Sequence, residues 1–242
     1  MLPPTEFLAR ASDYAGQGAV SMAAAELPAT SSRGRTSKQK VTAEWVDFFT
    51  SGPSDIATLV IHSRVTQPLA DSLSAQTQLS SLDILDGAFR DIEFVRNLTG
   101  LVRLSLDTPK VESLDPVATL PRVEVLAIDR PFSVVDLGPL SNIVSLSELR
   151  YGNARLSDDR SVAIPDMEWA RPLQSLTTLW MPGTRILSGD LSPLLEIPNL
   201  VELNLPLRPA YRRQVFELGE RSGAFANMAA KYLEHDDYRA RH

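Results

Sequence analysis

The 242 residues include no cysteine. Disulfide staples, thiolate catalysis and cysteine-ligated zinc or iron–sulfur centres are therefore excluded. A chain without thiols folds in either redox compartment, but the absence leans toward a reducing one, and so toward a cytoplasmic protein. Only three histidines occur, and two of them, His235 and His242, lie near the C-terminal end; the third is His62. Aromatic residues make up 7% of the chain, so its core must be built from aliphatics. No run of about eighteen apolar residues exists, and no membrane span is expected. The first ten residues carry no basic region followed by an apolar stretch, so no secretory signal is expected either. Gly-x-Gly-x-x-Gly and Gly-Lys-Ser/Thr phosphate loops are missing, which leaves no cofactor to expect.

What is present is a chain that can bury a core, with 43% apolar residues and a net charge of −6. The charge is unevenly spread. Residues 56–206 carry 12 basic and 19 acidic side chains, whereas residues 207–242 carry 7 and 5. An acidic body repels phosphate backbones, so nucleic acid is not expected as a partner.

The dominant signal is a repeat. Apolar-x-x-Leu-x-apolar occurs seven times, beginning at Ile56, Leu79, Leu101, Val123, Leu146, Leu176 and Leu200. The steps between starts are 23, 22, 22, 23, 30 and 24 residues, a period that chance does not hold through seven copies. The last two anchors of each copy are two residues apart, so they share one face of a short strand. Apolar residues then follow at spacings near three, as in Val111, Leu114, Val117 and Leu120, which suits a turn of 3₁₀ or α-helix running back. Asp115, Gly138 and Ser192 each precede a proline, and these pairs read as helix N-caps. A unit this small cannot bury its own apolar face, so successive units must stack.

Four segments follow: a flexible or partly helical tail over 1–40, an N-terminal cap over 41–55, a seven-stranded solenoid over 56–206, and a helical cap over 207–242. A helix within Pro4–Leu27 is compatible with the composition of the tail. Thr42 reads as a helix cap, with Trp45, Phe48 and Phe49 covering the first repeat. At the far end, helices at about 211–221 and 223–236 would seal the array through Val215, Leu218, Phe225, Met228 and Tyr232. The 30-residue step holds an insertion around 156–164, expected as a loop on one face.

The Leu-x-x-Leu-x-Leu strand, the 22-residue step and the Asp-Leu-x-Pro-Leu segment (136–140, echoed at 190–194) resemble the leucine-rich repeat proteins, in particular their short-repeat internalin-like and phosphatase-regulator-like branch. The resemblance implies an α/β right-handed solenoid with a concave parallel sheet and short 3₁₀ or α segments on its convex side, generally used to bind another protein. One departure stands out. Family repeats usually carry asparagine three residues after the last strand anchor, whereas Arg64, Gly87, Pro109, Pro131, Ala154 and Thr184 stand there. The backbone groups such asparagines would satisfy need other partners.

Residues between the anchors face the open side of the sheet, and stacking places equivalent ones about 4.8 Å apart. The candidate partner-binding set on these columns is Asp83, Arg103, Asp107, Asp129, Glu148, Arg150, Trp180, Glu202 and Asn204. Trp180 beside Arg150, Glu148 and Asn204 has the composition of a binding hot spot, unless the indole folds over a neighbour or lies under the insertion. Asp83, Asp107 and Asp129 cross three repeats and read either as a selector of basic partners or as a solvated face. His62 can be drawn with Ser81 and Asp83 as a catalytic triad, but an open sheet offers no oxyanion donors and no exclusion of water. No catalytic residue and no metal site is therefore expected. Trp169, where other repeats carry proline, reads as convex packing. The expected function is non-catalytic binding of a protein partner on the concave sheet. The alternative is a sensor or scaffold arm of a larger regulatory or immune-type assembly, joined through its terminal helices.

Overall fold

The fold is taken from a computed structural model that describes residues 5–23, 32–155 and 157–241. Each apolar-x-x-Leu-x-apolar copy contributes one strand. In chain order the strands are β1 (Glu6–Leu8), β2 (Ala19–Met22), β3 (Thr58–Ile61), β4 (Ser81–Ile84), β5 (Arg103–Asp107), β6 (Val125–Asp129), β7 (Glu148–Gly152), β8 (Val162–Ile164), β9 (Thr178–Trp180), β10 (Thr184–Ile186) and β11 (Glu202–Asn204). The helices are α1 (Ser32–Thr50), α2 (Gln67–Ser72), α3 (Pro209–Gly219) and α4 (Gly223–Arg241). Nine strands form one parallel sheet in the order β1-β2-β3-β4-β5-β6-β7-β9-β11, and β8 and β10 pair separately. Parallel pairing fits a chain that crosses over the same way after every strand.

The register stacks the leucines as rungs. Leu59 pairs with Leu82, Leu82 with Leu104, Leu104 with Leu126 and Leu126 with Leu149. Leu149 pairs with Leu179 and Leu179 with Leu203. All seven are 1% exposed or less. Cutting any one back to alanine would cost about 2–5 kcal/mol, because neighbouring rungs cannot collapse into the void. On the convex side, 3₁₀ turns such as Glu93–Asn97, Gly138–Asn142 and Ser192–Glu196 bury Val95, Leu140 and Leu194 against the same core.

The expected N-caps are different in detail. Asp115, Gly138 and Ser192 are not the caps: the N-cap positions of these turns are Pro116, Leu137 and Leu191, none of which makes a side-chain cap bond. The capping acceptor stands two residues ahead of the amide it takes: Asp136 Oδ1 accepts from Gly138 N at 2.7 Å, Asp166 Oδ1 from Glu168 N at 2.9 Å and Asp190 Oδ1 from Ser192 N at 2.9 Å. Ser113 Oγ takes the Asp115 amide at 3.0 Å. Short acceptors of this kind hold their own backbone into a turn. The missing asparagine ladder is replaced largely by main chain. Val65 N donates to Asp86 O, Thr108 N to Asp129 O, Arg130 N to Gly152 O and Asn153 N to Pro182 O. Gly152 has φ +146°, and a Cβ there would lie 2.1 Å from Pro182 O, so only glycine permits this close crossing.

The start of the chain differs from a tail. Residues 6–8 and 19–22 extend the sheet by two strands, with Val20 and Met22 fully buried. The reason is that Gln17-Gly18-Ala19-Val20-Ser21-Met22 keeps only the last two anchors of the pattern. The helix considered within Pro4–Leu27 is replaced by those strands over residues 5–23, and Pro4 and residues 24–27 lie outside the described residues. α1 then intervenes before β3 and breaks the period. It begins well before Thr42, whose hydroxyl donates back to Lys38 O within the helix instead of capping it. Val41, Trp45 and Phe49, one turn apart, are fully buried, and the Trp45 and Phe49 rings stack at 5.3 Å. Gln76, 1% exposed, receives the end of this helix: its Nε2 donates to Phe49 O and Gly52 O, and its Oε1 accepts from Ser54 Oγ. At the other end Val215, Leu218, Phe225, Met228 and Tyr232 are buried under α3 and α4. Tyr211 Oη accepts from Ile186 N there, and Tyr232 Oη donates to Arg208 O.

The 156–164 insertion is more than a loop. Its end forms β8, which pairs with β10 as a second parallel ribbon in the register Val162–Thr184. Val162 and Ile164 are buried, so the ribbon shares the core. Leu156 itself lies outside the described residues.

Candidate functional site

Strand alternation turns every second residue of β4, β5, β6, β7, β9 and β11 onto the concave face. The inner column runs Asp83, Ser105, Ala127, Arg150, Trp180, Asn204 in register. Beside it, Arg103, Val125 and Glu148 align across β5, β6 and β7. Small side chains at Ser105 and Ala127, between long ones at Arg103, Arg150 and Trp180, leave a cleft of about 310 Å³.

Two kinds of charge line this cleft. The first kind is already paired. Asp107 is 4% exposed, although its strand position faces outward, because two arginines fold over it. Arg130 donates to both carboxylate oxygens (2.7 and 2.5 Å), and Arg155 donates to Oδ2 at 2.5 Å. Arg155 reaches there from the segment after β7, just ahead of the insertion and 48 residues on in the chain, and also approaches Leu85 O at 3.4 Å. Arg130 sits at φ +56°, a left-handed conformation that costs an ordinary residue about 1–2 kcal/mol and that the bidentate pair helps to hold. Burial pushes the Asp107 carboxyl up, and the two guanidiniums oppose that shift. The hydrogen bond to Asp107 raises Arg130 in turn. Asp129 is half-buried and takes the Ala154 amide on Oδ1 at 3.0 Å. The acidic row seen in the sequence is thus largely compensated: of Asp83, Asp107 and Asp129, only Asp83 has no partner among the described residues.

The second kind is unpaired. Asp83 Oδ1 and Arg103 Nε are buried without a hydrogen-bond partner, and neighbouring Ser81 Oγ is a third such atom. Neither Arg103 nor Arg150 has a carboxylate within ion-pair distance among the described residues. The Arg150 guanidinium instead lies 3.9 Å over the Trp180 ring. Trp180 is half-buried by that contact, so one of its faces is covered by a neighbour as the sequence allowed. Cation–π stacking of this kind is worth about 0.5–2 kcal/mol, depending on desolvation, and holds the arginine in one place. Glu148 and Glu202 are exposed, and Asn204 is half-buried next to Trp180 in the register.

Sequence reasoning missed Arg130 and Arg155. Arg130 carried no periodic signal, and the only pointer to Arg155 was the lengthened repeat that contains it. His62 bonds Ser21, not Ser81: Ser21 Oγ and His62 Nε2 are 2.9 Å apart, both outside the cleft. Among the described residues no group of three or more His, Asp or Glu is placed to hold a metal ion. No helix among them is long and apolar enough to cross a membrane. Trp169 is buried on the convex side, with Nε1 donating to Asp166 O.

Leucine rungs, a concave parallel sheet and convex 3₁₀ turns define a leucine-rich repeat solenoid of the internalin-like kind. Two solved structures from Listeria monocytogenes carry this architecture. The internalin InlF is 24% identical with TM-score 0.54, over 62% of this chain and 41% of that one. Internalin C2 is 21% identical with TM-score 0.50, over 66% of this chain and 64% of that one. The chain therefore matches less than two thirds of the length of either. No family model and no curated protein matches the sequence.

Proposed function

We propose that the protein is a non-catalytic recognition module that binds another protein across the concave face formed by β4 to β7, β9 and β11. Leucine-rich repeat solenoids are generally protein-interaction modules, and the likeness to the internalins supports that class. The observation that carries the reading for this chain is the unspent hydrogen-bonding capacity in the cleft, at Asp83, Arg103 and Arg150. A buried polar atom left unpaired costs about 1–3 kcal/mol, which a bound partner would recover. Trp180 supplies the aromatic anchor, and Glu148, Glu202 and Asn204 the rim. Asp107 and Asp129 serve this face as supports, since their carboxylates are engaged within the protein. The scaffold-arm alternative has less behind it, because most large apolar side chains of α3 and α4 are buried in sealing the array, and Leu233 and Tyr238 alone stand exposed on α4. The test is cross-linking capture from the source cell with three baits. Proteins held by the wild type should be lost from an R103A/E148A/R150A/W180A variant and kept by an N97A/N142A variant of the convex turns. The opposite pattern would move the interface to the other face.

A further inference from the structure

Two arginines, Arg103 and Arg150, line the concave cleft, and two more, Arg130 and Arg155, close on Asp107 in its wall. Arg130 and Arg155 are neutralised on Asp107, whereas Arg103 and Arg150 have no counter-ion among the described residues. Both unpaired guanidiniums are half-buried, and each is held in a different way. Arg103 keeps its Nε out of solvent against the sheet, and Arg150 is clamped on Trp180. Their strands, β5 and β7, are two spacings apart, about 9.6 Å. Between them the floor is low, with Ser105, Val125 and Ala127, and Asp129, two residues beyond Ala127 on β6, is engaged by the Ala154 amide, so a group entering the cleft meets a cation on each side.

We infer that this hollow seats a single acidic side chain, aspartate or glutamate, of the protein partner. The inference rests on the concave reading above and sharpens it. A carboxylate accepts two parallel hydrogen bonds from a guanidinium, and held arginines lose little freedom when they form. The surrounding carboxylates fix the number. Asp83 stands one strand before Arg103, and Glu148 shares β7 with Arg150, so a second anion beside the first would be repelled from both ends. Polyanions such as nucleic acid are rejected by the same arrangement, and a lone acid flanked by neutral or basic residues is accepted.

A random dodecapeptide display library, selected in parallel on the wild-type protein, on R103Q/R150Q and on A127R, tests this directly. Ala127→Arg fills the floor, and S105R replaces it should A127R fail to fold. The expected result is a wild-type pool with one acidic position that is absent from the R103Q/R150Q pool. A peptide from that pool should weaken about tenfold or more on R103Q/R150Q, recover in part on R103K/R150K, and weaken further as salt is raised. A wild-type pool without acid preference, whose peptides bind R103Q/R150Q equally well but fail on the floor variant, overturns the acidic seat and leaves the concave reading standing. Peptides indifferent to both floor variants overturn the concave reading as well. A selection that enriches nothing above the blank counts against both.

Discussion

Replacing Tyr151 with phenylalanine should make the protein more stable. Tyr151 occupies the last anchor of its repeat, where other copies carry Ile61, Ile84, Leu106, Ile128, Met181 and Leu205. The residue is fully buried, and its hydroxyl has no hydrogen-bond partner. Burial alone pushes the phenol well above its ordinary range. A hydroxyl taken from water and left unpaired costs about 1–3 kcal/mol. Removing the oxygen forfeits its few van der Waals contacts, about 0.5 kcal/mol. The net expectation for Tyr151→Phe is a gain of about 1 kcal/mol, or about 2–4 °C in melting temperature for a chain of this length. Urea unfolding and calorimetry at pH 7 measure it. The sign with pH is also fixed. The unfolded phenol ionises near pH 10 while the folded one stays protonated, so the wild type loses stability as pH rises past about 10 and the variant lacks that loss. The gap between the two should therefore widen in alkali. A variant less stable than the wild type at pH 7 would refute the reasoning, because it would mean that the hydroxyl is satisfied inside the core.

Three further outcomes follow from the same kind of argument. Gln76→Ala should destabilise the N-terminal end by about 2–4 kcal/mol, since it strands the Phe49 and Gly52 carbonyls that Nε2 serves; hydrogen exchange should locate the loss in α1 and β3. Gly152→Ala should cost more than Gly138→Ala, because its new methyl meets the Pro182 carbonyl at 2.1 Å and not the end of a side chain; chemical denaturation of both variants makes the comparison. The Asp158 carboxyl is held down to about 2 by the Arg160 guanidinium, so carbon-detected NMR should show its midpoint well below that of an ordinary aspartate. That pair helps stability above about pH 4, the unfolded value, and its help is lost as pH falls toward 2; Arg160→Gln should bring the midpoint back up.

The fold was legible wherever the pattern was periodic. From Ile56 to Leu205 every anchor is buried, and the rungs pair as spacing alone required. Before that, Val20 and Leu59 pair directly but stand 39 residues apart, because α1 is inserted between adjacent strands. A search for a step near 22 residues cannot see such a pair. The concave columns were legible for the same periodic reason, but the charge state of the face was not. Asp107 reads as an exposed acid until Arg155 arrives from the next-but-one strand's return segment, and Arg130 adopts a left-handed turn that nothing in its neighbours requires. Which charges cancel is a property of side-chain reach across repeats, and spacing carries no information about it.

The ribbon formed by β8 and β10 has a consequence for the economy of the whole array. The lengthened repeat keeps its surplus on the rim, and the pairing of Arg150 with Trp180 runs past it without a slip of register. Foreign sequence spliced between Arg155 and Ser161 would therefore hang beside the cleft and leave the rungs untouched. It would stand beside the concave face much as a thumb stands beside a palm.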